Sequence, residues 1–329
     1  MEAAANFALA QRLAEMSDGE LASIVPDRTP VGVWGTSGPG TVDGTQVFVK
    51  RVALTDVEAV HPRSTRNHFR LPTYYSYGVG SAGFGVWREL AAHELTGGLD
   101  GFPALLHHRV MPRSSPSGEL PWSLDDYVRM WNGSAAVGRF IEARNVATHD
   151  VWIVLEHVPY ELFTWLVLNQ ERVEDVLGQV FAAIGTLRSL GVVHFDTHFG
   201  NVMTDGERCR LGDFGLAMAA GFELTARERA FLARHQHYDY GVPLASMAVM
   251  LAMGLGRPLT ARELGAWIDG LEELPVVYCP ELIAAFRRYR APMQYMTDFF
   301  TRVRRPSKRS TYDDATFAGL LRDAGVPID

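Results

Sequence analysis

Two carboxylates and one amide are spaced along residues 191–217 in a way that could bring them to a single point. Asp196 and Asn201 belong to one short apolar segment and Asp213 to a second, and a polar stretch at residues 204–208 joins the two. A hairpin of this kind would direct all three side chains to one spot. Phosphoryl transfer from a nucleotide needs such a set, because one carboxylate must orient and deprotonate the attacking hydroxyl while an amide oxygen and a second carboxylate hold Mg²⁺ against the phosphates. We therefore predict Asp196 as the catalytic base, and Asn201 and Asp213 as magnesium ligands.

The same stretch carries two linked motifs. His194, Asp196 and Asn201 form His-x-Asp-x-x-x-x-Asn, and an Asp-Phe-Gly triplet begins twelve residues later at Asp213. Asp-Phe-Gly alone would be a weak indication, since Asp and Gly also fill ordinary turns. In combination the motifs resemble those of the protein-kinase-like superfamily. The resemblance implies a phosphotransferase that uses ATP, with GTP as the alternative nucleotide, and Mg²⁺.

The resemblance extends over roughly residues 30–255 and implies a fold of the α+β class. It predicts a bilobal arrangement, with a small antiparallel β-sheet lobe at residues 1–157 and a larger, mainly α-helical catalytic lobe at residues 158–329. A chain of 329 residues that is 47% hydrophobic is long enough and apolar enough to form both.

Short β-prone pieces with glycine turns begin at residue 31, and Lys50 lies in the most β-prone of them. On its own Lys50 would be taken for a surface lysine of an edge strand, but the resemblance implies that it clamps the nucleotide phosphates and pairs with a helix glutamate. Phe48 lies on the same strand face, and it resembles the aromatic residue that stacks on the base in several antibiotic phosphotransferases. Gly35 and Gly38 are predicted to cover the phosphates, although their loop does not match the G-x-G-x-x-G of protein kinases.

The next predicted helix offers two glutamates as the partner of Lys50, and the resemblance favours Glu89 over Glu94. Residues 55–85, before this helix, are predicted to be a long insertion, and long loops of this kind are often functional. They include a G-x-G-x-x-G pattern at residues 78–83, which in other settings binds dinucleotides. Because the residues before the pattern contain a proline and lack a buried aliphatic run, we disfavour that interpretation.

A buried strand that stops at a proline is predicted at residues 151–159. By resemblance its end is the hinge between the lobes, where backbone groups of Glu156, His157 and Val158 would bind the adenine edge. The clearest helical periodicity follows at residues 173–190 and ends at a glycine. Further helices are predicted at residues 5–24, 223–235, 239–256, 260–271, 280–303 and 312–324.

Composition and charge restrict the partners. The net charge of −7 argues against nucleic acid and anionic membranes. The uncharged run at residues 240–256 falls short of a membrane span, so we predict a buried core helix there. Two cysteines, Cys209 and Cys279, are too few for a disulfide framework. Since the N-terminus does not resemble a signal peptide, these features together predict a cytoplasmic protein.

Two features bear on the phosphate acceptor. His198 stands two residues after the candidate base, where relatives that phosphorylate aminoglycosides or choline commonly carry histidine and Ser/Thr protein kinases carry lysine. Only 23 residues separate Gly215 from Asp239, and they lack the Ala-Pro-Glu that belongs to a platform for peptides. Both features favour a hydroxyl of a small antibiotic-like or sugar-like molecule, with His198 beside Asp196 in the catalytic set.

Two alternatives stay open. The intact Phe-Gly after Asp213 and the helix that opens at Asp239 are more like Ser/Thr protein kinases, which makes a protein substrate the second candidate. A non-catalytic nucleotide-binding pseudokinase is the third, and it is weakened because Lys50, Asp196 and Asp213 are all present. For a small molecule we expect a cationic or polyhydroxylated compound, attracted by acidic side chains of the helical part: Glu223, Asp269, Glu272, Glu273, Asp313 and Asp314.

Overall fold

The computed structural model describes residues 2–25, 36–113, 123–254, 256–270, 278–304 and 307–328. Within these ranges the protein has a mixed α+β structure, in which a small antiparallel sheet is followed by a mainly helical part. No helix of the described ranges is both long and apolar enough to span a membrane. The α+β class predicted from the sequence is confirmed.

Four strands form the main sheet in the order β1-β2-β4-β3, and all neighbours are antiparallel. Asp43 and Gly44 close the first hairpin at positive φ, 47° and 84°, which is the backbone that a two-residue type I′ turn requires. The fourth strand lies between two others, and its side chains are almost all buried for this reason. The strands are β1 (Thr36–Val42), β2 (Thr45–Leu54), β3 (Leu105–Pro112) and β4 (His149–Glu156).

Two helices, α1 (Glu2–Glu15) and α2 (Asp18–Ser23), precede the sheet where the sequence predicted a single helix. The chain breaks between them because Ser17 and Glu20 form a capping box, in which each side chain accepts from the other residue's backbone N–H. The Arg109 guanidinium of β3 donates to carbonyl oxygens at the end of α1. This contact fixes α1 against the sheet.

Residues 55–85 are folded rather than an open loop. They contain α3 (Asp56–Ala59) and a 3₁₀ turn (Thr73–Tyr77), and they lead into α4 (Val86–Thr96). A 3₁₀ turn therefore comes before the G-x-G-x-x-G pattern, where a dinucleotide-binding unit would have a strand. Two helices that the sequence did not predict, α5 (Leu124–Met130) and α6 (Ala135–Asn145), pack beside this segment.

The helices after the sheet are α7 (Leu162–Leu168), α8 (Val173–Ser189), α9 (Ala226–Ala233), α10 (Tyr238–Gly254), α11 (Ala261–Asp269), α12 (Pro280–Arg288), α13 (Arg290–Arg304) and α14 (Asp314–Asp323). α8 confirms the clearest periodicity of the sequence, and α10 confirms the buried helix expected from the uncharged run. The helix predicted at residues 280–303 is two helices, because Pro292 has no N–H to donate to the carbonyl of Arg288.

Two small sheets lie among these helices. One has the order β5-β7-β8, and the other is the pair of β6 and β9. The second pair brings residues 192–193 beside residues 218–219, so that the chain between them forms a closed loop. Their bounds are β5 (Tyr160–Glu161), β6 (Val192–Val193), β7 (Val202–Thr204), β8 (Cys209–Leu211) and β9 (Met218–Ala219).

Candidate active site

The predicted hairpin is present between the two motifs. β7 and β8 pair antiparallel, and the Asp205 carboxylate closes their turn by accepting from the amides of Glu207 and Arg208 at 2.8 and 2.7 Å. The Gly212 amide donates to the carbonyl of Asn201 at 2.9 Å. The hairpin therefore places Asn201 directly beside the residue that precedes Asp213.

Asp239 anchors the loop before the hairpin. Its carboxylate accepts from the amides of His194 and Phe195 at 2.6 and 2.8 Å. Its backbone carbonyl would normally bond within α10, but Pro243 four residues on has no N–H, and the Thr197 hydroxyl donates to that carbonyl instead at 2.7 Å. Burial raises the pKa of Asp239 to about 7, although the two amides lower it. The first turn of α10 thus fixes the loop that carries Asp196.

His194 supports the same loop as a neutral ring. Burial lowers its pKa to about 4. The Asp196 amide donates to Nδ1 at 3.2 Å, so Nε2 carries the hydrogen that is donated to the Gly212 carbonyl at 2.9 Å. The ring lies against Phe214, which also contacts the His93 ring, with centroid separations of 4.9 and 4.8 Å. His194 therefore links the two motifs through one ring.

Lys50 reaches two carboxylates at once. Its Nζ lies 2.6 Å from Glu89 Oε1 and 2.6 Å from Asp213 Oδ1. Glu89 is only 4% exposed, whereas Glu94 pairs with Arg63 at the surface. Burial alone would lower the pKa of Lys50, but Asp213 and then Glu89 raise it above its ordinary value. The amine is thus a fixed cation on β2, an interior strand of the sheet, with Glu89 as the partner that the resemblance favoured.

Asp213 has a left-handed backbone, with φ of 58° and ψ of 69°, which Asp tolerates better than most residues. Burial would raise its pKa, but Lys50 outweighs burial and lowers the pKa to about 2. The carboxylate therefore stays charged across the physiological range.

Asp196 lies at the centre of the site. The Asn201 side-chain amide donates to the Asp196 carbonyl at 2.8 Å and to Oδ2 at 3.2 Å, and His198 Nε2 lies 3.7 Å from Oδ1. The Asp196 side chain is 25% exposed. Burial is the main reason why its pKa is raised to about 6. A carboxylate with this pKa is ionised at pH 7 and can still take up a proton.

The oxygens of Asp213 and Asn201 fit Mg²⁺, which prefers hard oxygen ligands and usually keeps waters and substrate phosphates in its shell. Asn201 donates through its nitrogen, which leaves its amide oxygen facing away from Asp196. Among the described residues no cluster of three or more His, Cys, Asp or Glu could form a complete protein cage. A Mg²⁺ ion held by these two residues would need further ligands from water or from a bound phosphate.

The predicted nucleotide residues lie along β1, β2 and the end of β4. Phe48 shares its strand face with Lys50, and Gly38 pairs with Val49 on the neighbouring strand. Gly35 lies outside the described residues. The Glu156 amide already donates to the Ala104 carbonyl at 2.9 Å. The next two residues, His157 and Val158, follow the end of β4 and lie outside the ladder, so their contact with the base stays a prediction.

Residues 78–85 form a wall of the site that the sequence did not assign to it. A Cβ on Gly78 would lie 2.7 Å from Asp196 Oδ1, and the Phe84 amide donates to the Gly215 carbonyl at 3.0 Å. The sequence feature that could have identified this wall is the glycine pattern itself. Gly78 has a φ of +73°, and the glycine is needed for close approach to the candidate base, not for a dinucleotide.

A buried ion pair joins α4 to α9. Arg88 Nη2 lies 2.7 Å from Glu228 Oε1, and the two side chains are 1% and 2% exposed. Arg88 also donates to the Thr65 carbonyl at 2.6 Å. Because Arg88 precedes Glu89, the pair holds the helix that faces Lys50. Sequence reasoning missed it, since the two residues are 140 positions apart.

A cavity of about 790 Å³ opens beside Asp196 and His198. Of the acidic residues expected to attract a cationic ligand, the four that the structure describes do not line it. Glu223 accepts from Ser64, Asp269 pairs with Arg290, Asp313 caps α14, and Asp314 pairs with His237. Glu272 and Glu273 lie outside the described residues. The attraction of a cationic ligand by these residues stays a prediction, and none of the four described ones would contact a ligand inside this cavity.

Comparison with known proteins gives a partial similarity to a kinase. No protein-family model matches the chain. The chain is 28% identical over 121 residues to a probable cell division protein kinase of Encephalitozoon cuniculi (strain GB-M1), a match that covers 33% of this chain and 39% of that protein. The chain thus spans about two fifths of this relative. This distant homologue suggests a place within the protein-kinase-like superfamily.

Proposed function

We propose that the protein is a phosphotransferase that moves the γ-phosphate of ATP, or of GTP, to a hydroxyl of a small molecule. The observation that carries the proposal is the position of Lys50, held 2.6 Å from both Glu89 and Asp213. We further propose that the nucleotide lies between a sheet lobe at residues 1–157 and a helical lobe at residues 158–329.

Each residue has a distinct role in the proposed reaction. Lys50 binds the nucleotide phosphates, and Glu89 keeps its amine in place. Asp213 and Asn201 would hold Mg²⁺, which neutralises charge that develops on the phosphates. Asp196 orients the acceptor hydroxyl and accepts its proton, which suits a pKa raised by burial to about 6.

The surroundings of Asp196 support a small acceptor. The cavity beside it is bounded by residues 77–79 and by helices α10, α11 and α13. The segment after Asp213 is held back against residues 64–65, because Glu223 accepts from the Ser64 hydroxyl at 2.5 Å and from the Thr65 amide at 3.0 Å. Bound in this way, the segment is not free to act as a docking platform for an extended peptide.

A Ser/Thr protein kinase is the second candidate. It is favoured by the name of the relative in E. cuniculi, a probable cell division protein kinase, and by the way Asp239 anchors the loop of His194 and Phe195. A pseudokinase is the third candidate. The presence of Lys50, Asp196 and Asp213 argues against it, and detection of any phosphoryl transfer would exclude it.

Nucleotide binding is tested by thermal melts. We expect the melting temperature to rise with ATP only when Mg²⁺ is present, and the rise to vanish in Asp213→Ala because a metal ligand is lost. Asp125→Ala, an exposed acid at the start of α5, is the matched control and keeps the rise. Metal-dependent stabilisation that persists in Asp213→Ala would contradict the assignment.

Catalysis is tested with Asp196→Asn and labelled ATP. We expect this variant to keep its nucleotide affinity and to lose about 10² to 10⁴ in turnover, the usual contribution of a positioned base. Label should pass to hydroxylated small molecules and not to generic protein substrates. Faster labelling of Ser or Thr in a protein would establish the second candidate, and nucleotide binding without transfer to any acceptor the third.

A further inference from the structure

The cavity beside Asp196 has the size of a small-molecule site. Its volume of about 790 Å³ lies within the range of roughly 300 to 1,000 Å³ that is usual for ligand pockets. Asp196 and His198 are at one end, and the body of the cavity extends between α10 on one side and α11 and α13 on the other.

The body of the cavity is apolar. One face of α10 supplies Val242, Ala245, Val249 and Ala252 at helical spacing. Leu264 of α11 and Phe300 of α13 lie across from them. A ligand between these helices is surrounded by hydrocarbon over most of its length.

The hydroxyls of the lining are already bonded. Ser246 donates to the Val242 carbonyl and accepts from the Phe199 amide. Thr297 and Thr301 donate to carbonyls of their own helix at 2.8 and 2.7 Å. Thr260 donates to the Glu263 carboxylate at 2.9 Å. None of the four has a free donor for a polyhydroxylated ligand such as a sugar.

Few charges line the cavity. Both carboxylate oxygens of Glu161 accept from amides in the first turn of α7, at 2.9 and 3.0 Å. Arg304, which is exposed, is a cation. Apart from Asp196 and Glu161, the described lining has no carboxylate. A polycationic ligand would therefore place further ammonium groups in an apolar space, at a large desolvation cost.

We propose that the acceptor is an alcohol with an apolar, uncharged body, seated between α10, α11 and α13 with its hydroxyl at Asp196. The inference rests on the proposed function, because Asp196 decides which end of the cavity receives the hydroxyl. In the reaction the alcohol oxygen bonds to the γ-phosphorus, the bond from that phosphorus to the β-γ bridging oxygen breaks, and the hydroxyl proton passes to Asp196. The products are a phosphate monoester and ADP.

The test uses the full chain and unbranched primary alcohols from 1-butanol to 1-decanol, with binding measured by ligand-detected NMR without nucleotide. We expect affinity to rise about fourfold for each added CH₂ until the cavity is filled, as for transfer of a methylene out of water. The matched amino alcohol, 8-amino-1-octanol, should bind at least tenfold more weakly than 1-octanol. No dependence on chain length, or equal binding of the amine, would overturn the apolar class.

Two variants of α10 test whether the alcohols bind in this cavity. Val249 lines the cavity and is 48% exposed, so Val249→Asp adds a carboxylate there without a deeply buried charge. Met253, one turn further on, is 61% exposed and does not line the cavity, so Met253→Asp is the control. We expect Val249→Asp to lose most of the gain per CH₂ and Met253→Asp to retain it. Equal behaviour of the two variants would place the alcohols elsewhere and overturn the inference.

A transfer assay with the same alcohols, ATP and Mg²⁺ separates this inference from the proposed function. Chain-length-dependent phosphorylation supports both. Chain-length-dependent binding with no transfer contradicts the phosphotransferase function and leaves the apolar ligand class intact. Transfer to an aminoglycoside or a sugar, with no dependence on alcohol chain length, overturns the apolar class and leaves the phosphotransferase function intact.

Discussion

Adding one methyl group at Gly78 should disable the site without removing any catalytic side chain. In Gly78→Ala the new Cβ would lie 2.7 Å from Asp196 Oδ1. Ordinary contact begins near 3.4 Å, so the two atoms must move apart by roughly 0.7 Å. Since Asp196 is the proposed base, a displacement of this size should lower kcat on the order of 10- to 100-fold.

The substitution also strains the backbone, and Gly80→Ala controls for that strain. Both glycines have a left-handed backbone, with φ of +73° and +83°, and Ala in that conformation costs about 1 kcal/mol. A Cβ on Gly80 meets only the flexible end of Met130, at 3.2 Å. The two variants should therefore lose similar stability, while only Gly78→Ala misplaces Asp196.

The assay compares urea unfolding, nucleotide affinity and kcat for the two variants and the wild-type protein. We expect equal losses in the free energy of unfolding, unchanged affinity for ATP with Mg²⁺, and a loss of kcat in Gly78→Ala alone. The reasoning fails if both variants have the same kcat. It also fails if Gly78→Ala weakens the affinity for ATP with Mg²⁺ while kcat is unchanged.

Three further outcomes follow from buried charge. Because the pKa of Asp196 is raised to about 6, kcat/KM should fall as pH drops below about 6, and a profile that stays flat to pH 4 would contradict its role as base. Glu228→Gln should destabilise the protein by about 3 to 5 kcal/mol, since it leaves Arg88 buried without its counter-charge; adding Arg88→Met should recover part of that loss in urea unfolding, and no recovery would argue against the pair. Lys308 is 3% exposed, and burial lowers its pKa to about 8. Between pH 8 and 10 the unfolded lysine holds a proton that the folded one releases, so stability should rise by about 2 to 3 kcal/mol relative to Lys308→Met. Parallel pH curves for the wild type and Lys308→Met would exclude that contribution.

The sequence predicted those parts of the site that depend on local spacing. The β7–β8 hairpin sets Asn201 beside Gly212, and a polar turn of five residues between two apolar pieces is enough to foresee this. Glu89 could be selected over Glu94 only by resemblance, because both lie on α4 and their surroundings are decided elsewhere. The structure supplies the physical reason, since Glu89 is buried against Lys50 whereas Glu94 meets Arg63 at the surface.

Contacts between segments that are distant along the chain could not be predicted from the sequence. The sequence shows how many acidic residues the helical part has, but not what each of them contacts. Nothing in their spacing indicates that Asp314 pairs with His237 or that Asp313 caps α14. Helices α5 and α6 were missed for a related reason. They are short, and they are stabilised by packing such as the 2.7 Å contact between the hydroxyls of Tyr75 and Tyr127, not by a strong periodicity of their own.

The glycine pattern at residues 78–83 shows where the limit lies. A glycine in a sequence indicates that the backbone needs positive φ or a close neighbour, and both needs are real at Gly78. The sequence cannot name that neighbour, and a familiar spacing suggested a dinucleotide. In the fold the neighbour is Asp196, brought there because Asp239 holds its loop and because the Phe84 amide bonds to Gly215. A segment that resembled an insertion therefore belongs to the site, since its backbone limits where the carboxylate of Asp196 can lie.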